Sequence, residues 1–279
     1  MRCSESQFFG AFRIAFGLYL TVHFVALVPY AAELFSSAGV FPEAQTFPTH
    51  VFPNVLHFAS SPEAVIGVLF GAVTLAVLFT LGVSRRLCAL ALWYLWACFF
   101  ARDPFIANPS LPYVGWTLLA TTLVRPGEHF SISAPTRDDF QLPVGLATAA
   151  LLLLGLGYTL SGIHKAAAPS WQDGTALWHV LRGPLARPGI AHELLMKLPA
   201  PVWQGATWSV LALECLALPL LLIRTTRRAA FLGLTAMHLG ILATIDFADL
   251  TWGMIAAHGF AFPASSPLLS ELFSPASAD

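Results

Sequence analysis

The sequence predicts an all-α polytopic membrane protein, with about eight transmembrane helices and two interfacial helices in the outer loop between spans five and six. Three observations predict it. Of 279 residues, 57% are hydrophobic and only 10% charged, and mean hydropathy is +0.71. Soluble domains carry about 25% charged residues, so lipid must solvate much of this chain. Uncharged runs recur that approach the ~20 residues needed to cross about 30 Å of hydrocarbon. Between two of these runs, apolar residues recur at the spacing of an amphipathic helix.

The runs come in order. Ile14 to Ala32 is the first and Ala64 to Ser84 the second. Leu87 to Ala101 follows the pair Arg85-Arg86. Pro104 to Val124 opens with Asn108, Pro109 and Pro112, so its helix is expected to begin near Leu111. Phe140 to His164 is the clearest run. Val202 to Ile223 crosses with one acid inside, Glu214. Ala229 to Ile245 follows Arg227-Arg228, and Leu250 to Phe262 is the last, with Pro263 and Pro267 expected to end or kink it. Arg13 interrupts the N-terminal apolar stretch, which argues for a retained first span rather than a cleaved signal. No repeat or separate soluble domain is visible, so residues 1–279 are expected to form a single transmembrane domain.

Basic residues in short loops set the orientation. With a cytoplasmic N-terminus, Arg2, Arg85, Arg86, Arg125, Arg137, Arg224, Arg227 and Arg228 lie inside. Arg102, Lys165, Arg182, Arg187 and Lys197 lie outside, and Phe35 to Glu63 has no Lys or Arg. Lys165 then faces outward, and a bacterial inner membrane is the expected location. In the outer segment Lys165 to Pro201, Ile190, Leu194, Leu195 and Leu198 oppose Glu193 and Lys197. Leu177, Val180 and Leu181, near Trp171 and Trp178, mark a shorter helix. Such helices either roof a cavity or simply pack at the interface.

A few intramembrane polar residues are candidates for chemistry. Lys165 lies about 33 Å along its helix, counted from Pro143, at the edge where lysines snorkel. It is an anchor or a base; an amine acts as a base near neutral pH only in a dry, sheltered site. His164 is adjacent, but neighbours on a helix point about 100° apart. Glu214 is expensive in an apolar helix and is expected to face the bundle interior. It lines a substrate site or makes a structural bond, to Arg13 or to a hydroxyl on another helix. Arg13 itself stands near the cytoplasmic end of its span, where it can snorkel. His238 and His23 are each an interhelical donor or a ligand. Asp246 and Asp249 flank a solvated turn.

Other chemistries are excluded. A net charge of −1 gives no basic footprint for nucleic acid. "HELLM" (His192 to Met196) lacks the second zincin histidine, and the cysteines form no CxxC, so no structural metal is expected. No phosphate loop, nucleophile elbow or dinucleotide fingerprint is present.

Four stretches carry a family resemblance. "FRIAFGLYL" (Phe12 to Leu20) resembles the opening of the HTTM domain, the membrane domain of vitamin K-dependent gamma-glutamyl carboxylase. "YTLSGIHKAAAPSWQDG" (Tyr158 to Gly174) resembles its most characteristic segment, with Gly-x-x-Lys followed by Trp-x-x-Gly. "LECLALPLLLIRTTRRAAF" (Leu213 to Phe231) is similar to its acid-bearing helix and basic turn. "MHLGILATIDFADLTWGMIAAHGFAFP" (Met237 to Pro263) is similar to its histidine-containing helix and the segment after it.

The resemblance implies that Lys165 is the base that deprotonates a reduced quinone of the vitamin K hydroquinone type. In the carboxylase, the deprotonated quinol then reacts with oxygen to give the base that abstracts a glutamate γ-proton for carboxylation by CO2. His164 and Asn108 would be polar neighbours, Trp171 a wall, and Glu214 and His238 the inner lining. The family's histidine after the asparagine is replaced by Pro109, while Asn108 is kept. The chain stops at Asp279, so the carboxylase's substrate-binding lumenal region is expected to be missing. A rival expectation is a non-catalytic quinone- or lipid-binding subunit with an unidentified protein partner.

Overall fold

A computed structural model describes residues 4–42, 53–103 and 106–262. Among these residues every regular element is helical, and the chain divides into two units, Met1–Pro143 and Val144–Asp279.

The first unit starts with α1 (Glu5–Leu27). Ser4 and Gln7 cap it reciprocally: the Ser4 hydroxyl accepts the Gln7 amide, and the Gln7 side chain accepts the Ser4 amide. A 3₁₀ turn at Val28–Tyr30, started by Pro29, leads into α2 (Ala31–Phe35). A short α3 (Val55–Phe58) follows, then α4 (Pro62–Leu81), where Ser61 accepts the Ala64 amide and Pro62 occupies the first turn. Then come α5 (Arg85–Arg102) and α6 (Leu111–Leu123). Helix α1 packs along α4, and α5 against α6. The core between them is aromatic, with Phe9, Phe16, Phe24, Phe79 and Phe99 almost fully buried.

Arg13 does not snorkel. It is fully buried, and its guanidinium donates to the Phe130 carbonyl at 2.7 Å. Glu128, from the segment after α6, lies 3.5 Å from Arg13 and 2.8 Å from Arg85. Carbonyls of Thr121 and Val124 accept further bonds from Arg85. A carboxylate brought in from a loop keeps these two guanidiniums inside the unit.

The second unit opens with α7 (Val144–Ala166) and three short helices, α8 (Pro169–Gln172), α9 (Ala176–Val180) and α10 (Ile190–Leu195). Next are α11 (Ala200–Cys215), α12 (Ala217–Leu222), α13 (Arg224–Thr244) and α14 (Ala248–Ala261). Helices α11, α12 and α14 pack on α7, and α13 packs on α12 and α14. The segment before α10 is tied to the end of α13 by Arg187 N–H to Thr244 C=O (2.8 Å) and Asp246 N–H to Leu185 C=O (2.7 Å).

The helical segments Glu5–Phe35, Pro62–Leu81 and Val144–Ala166 are long and apolar enough to cross a membrane. The remaining apolar runs also fold as helices, with one correction. The run Val202 to Ile223 is broken at Leu216, between α11 and α12. Pro219 is the cause: it has no N–H for the Cys215 carbonyl, and its ring clashes with a continuing turn. The freed Leu218 amide donates instead to Thr159 Oγ1 of α7, at 3.0 Å. In α10, Ile190 and Leu194 are 78% and 59% exposed, so its apolar side is not covered by protein.

Candidate functional site

The end of α7 builds the site. Lys165 stands in its last turn, where a cation complements the helix dipole. Its Nζ lies 2.5 Å from both carboxylate oxygens of Glu214, in the last turn of α11. The Ser161 hydroxyl, one turn before Lys165, donates to Glu214 Oε2 at 3.3 Å. The Glu214 side chain is 4% exposed and that of Lys165 31%, so the acid is interior and the amine sits at the opening. The face of Trp171, in α8, covers the amine with its ring centre 5.1 Å from Nζ.

The glycines of this segment explain its spacing. A Cβ on Gly162 would sit 2.6 Å from the Cys215 amide nitrogen and 2.9 Å from its sulfur. Only glycine lets α11 come this close, one turn below Lys165. Gly174 adopts φ +81°, and a Cβ there would crowd the Gln204 backbone at 2.9 Å. Gly-x-x-Lys thus sets the helix approach, and Trp-x-x-Gly turns the chain so that α8 returns over the amine. Trp208 Nε1 fixes that return by donating to the Gln172 carbonyl at 3.2 Å. Beside it, the Thr175 hydroxyl and amide both donate to Asp173, which holds its carboxyl below the usual carboxylate range.

A second polar cluster lies deeper. Tyr158 is seven residues before Lys165 on the same side of α7, about 10.5 Å of helix rise away. Its hydroxyl lies 2.7 Å from His238 Nε2 of α13 and 2.9 Å from His258 Nε2 of α14. His258 Nδ1 reaches Thr235 Oγ1 at 3.2 Å. Tyr158, His238 and His258 are all buried.

The sequence-predicted residues therefore separate. Lys165, Glu214 and Trp171 come together. His164 is exposed and takes no part in their network among the described residues. His238 belongs to the deeper cluster. Asn108, in the first unit, shapes the start of α6: its Oδ1 accepts the Ser110 amide (2.8 Å) and hydroxyl (2.6 Å). Glu214 bonds to a neighbouring hydroxyl, as one expectation had it, while Arg13 is held by Glu128. His23 lies among aromatic rings, its centre 4.7 Å from that of Trp96. Tyr158, His258 and Thr235 were not singled out. The available signal was Tyr158 two helical turns before Lys165, inside the same motif.

Fold and site define an all-helical integral membrane protein with a lysine–glutamate pair between two of its helices. Residues 1–264 match the HTTM domain, and the chain belongs to that family. No curated protein and no solved structure matches it.

Proposed function

We propose that this HTTM protein is a membrane enzyme that uses the Lys165–Glu214 pair as the base for a quinol or a similar hydroxyl-bearing lipid. The observation that carries the reading is the 2.5 Å approach of Nζ to both carboxylate oxygens at a half-open position. In this reading, each apolar run after the first unit's two long helices also spans, giving about eight crossings. The N-terminus is cytoplasmic, the Lys165 end faces outward, and α8 to α10 lie along the outer interface as a roof.

The residues fit such a ligand. An interior carboxylate takes up a proton from the amine, the amine takes the hydroxyl proton and as a cation stabilises the oxyanion that results, and the indole face and apolar helix sides suit a ring with a lipid tail. When bound, a reduced quinone supplies the ionisable hydroxyl and the electrons for reaction with oxygen. The chain's own part is proton handling. The amine passes a proton to Glu214 across the short bond, its freed lone pair takes the hydroxyl proton, and Glu214 retains the first. Glu214 thus makes Lys165 able to act, and Trp171 keeps the amine from swinging into water.

The test is Lys165→Ala and Lys165→Arg in membranes supplied with a reduced quinone and oxygen. Quinol consumption should fall at least 100-fold in both, in the range removal of a general base costs. Unchanged consumption in both variants removes the reading. The same bidentate geometry favours one rival, a structural clamp joining α7 to α11 in a non-catalytic quinone- or lipid-binding subunit. A stoichiometric protein partner, co-purified in mild detergent without bound quinone, would favour it.

A further inference from the structure

The start of α5 runs against the usual electrostatics of a helix. The N-terminal end of a helix is its positive end and favours acids, yet α5 opens with Arg85 and Arg86. It also opens uncapped. Ser84, the residue before it, has φ +43° and makes no side-chain bond to the first turn. The Ser84 carbonyl accepts the Leu87 and Cys88 amides, while those of Arg85 and Arg86 meet no acceptor among the described residues.

A cavity of about 240 Å³ lies against this helix end, within the first unit. Gly82, Ser84, Arg85, Arg86, Glu128 and Ser131 are among the residues that line it. A water molecule takes about 30 Å³ in the liquid, so the space holds a tetrahedral oxyanion with room to spare. Three guanidiniums stand in or behind its wall, against one carboxylate. Glu128 lies between Arg13 and Arg85. Arg85 gives its Nη groups to the carbonyls of Thr121, Val124 and Arg125. Arg13 is fully buried behind Gly82, where a Cβ would overlap its Nη1 and stand 2.7 Å from the Ser131 hydroxyl oxygen. That Nη1 is 3.5 Å from Glu128, and neither it nor Arg13 Nε makes a hydrogen bond among the described residues. Arg86 is exposed: its Nε donates to the Thr122 carbonyl, and its two Nη groups find no partner among the described residues. Two positive charges are therefore in excess at the cavity, and donors are left over.

We propose that this cavity binds a phosphate group. The Nη groups of Arg86, the Ser84 hydroxyl and the amides of Arg85 and Arg86 donate to its oxygens, and Arg13 and Arg85 supply charge from behind. Glu128 holds the two inner guanidiniums and leaves the outer one for the ligand. Leu87 lines the cavity and Ile132 follows Ser131, and they are 71% and 70% exposed, so apolar chains can lie beside the phosphate. A phosphate carried on a lipid suits that rim, and a free phosphate satisfies the same donors. Nothing in this site depends on the chemistry at Lys165.

The test is a titration of the full-length protein, stripped of lipid in a nonionic detergent. The probes are dioctanoyl phosphatidic acid, dioctanoylglycerol and inorganic phosphate, read by native mass spectrometry and thermal unfolding. Phosphatidic acid should bind one per chain and raise the melting temperature. Dioctanoylglycerol, which lacks only the phosphate, should do neither, and this comparison uses no variant. Displacement of the lipid by inorganic phosphate supports a site that phosphate alone fills; binding without displacement supports a lipid headgroup site. Arg86→Ala should weaken binding about tenfold or more, for one lost charged hydrogen bond. Ala134→Leu, which narrows the cavity without changing charge, should weaken it similarly. Arg228→Ala, at an exposed arginine of the second unit, should bind as wild type does. Equal binding of the two lipids, or no binding of either phosphate probe, overturns the site. So does wild-type affinity in Arg86→Ala or in Ala134→Leu, or an equal loss in Arg228→Ala.

Discussion

Lys165 and Glu214 are 49 residues apart in sequence, yet the amine lies 2.5 Å from both oxygens of the carboxylate. The lysine lies at the end of one helix and the acid at the break of another. Each needs the other: a carboxylate interior to a membrane bundle is costly without a countercharge, and an amine half in water is mobile without a partner.

That relationship sets the reactivity of the chain's lysines, Lys165 and Lys197. Lys197 is exposed, so acylation by an amine reagent, mapped by mass spectrometry, should label it first. Trp171→Ala should speed Lys165 labelling roughly 2–5-fold, for a cation–π contact of about 0.5–1 kcal/mol. Glu214→Ala should speed it more than tenfold, since charged hydrogen bonds contribute about 1.5–3 kcal/mol. Equal labelling of both lysines in wild type would mean that the amine is freely hydrated.

Gly162 should tolerate nothing larger. Gly162→Ala puts a methyl against the Cys215 amide and should cost about 1–3 kcal/mol in thermal unfolding. Gly145, on the same helix, has open space where its Cβ would be. Gly145→Ala should be neutral or stabilising by up to about 1 kcal/mol. Equal losses from both would show that helix approach is not what Gly162 provides.

In the first unit, Glu128→Ala leaves Arg13 and Arg85 buried without a countercharge. The expected loss is about 3–5 kcal/mol, read as a fall in melting temperature and in the yield of monodisperse protein. Replacing all three residues with methionine should recover most of that loss. A triple variant as poor as the single one would assign the effect to packing instead.

The helices were legible because lipid imposes a simple rule: a long uncharged run folds as a helix. Lys165, Glu214 and His238 stood out because each breaks an apolar pattern. Their partners did not. Pairing across 49 or 80 residues depends on how helices pack, and no local periodicity encodes it. Tyr158 and His258 look like ordinary helix residues until the phenol is seen between two imidazoles. Glu128 sits in a polar loop, where an acid attracts no notice, and only the fold turns it inward. The break at Leu216 could have been read from Pro219, yet the unbroken hydropathy of the run concealed it.

That break also bears on what can approach Lys165. With Pro219 four residues on, the Cys215 carbonyl loses its helical donor, and the Leu218 amide has turned to Thr159, leaving the Leu216 amide to reach the Glu214 carbonyl. The negative end of α11 therefore adds to the carboxylate beside it. Under the proposed function, that negative end beside the ion pair disfavours a carboxylate or phosphate as the ligand. The same reading favours a neutral molecule that presents its O–H or N–H groups to the helix end.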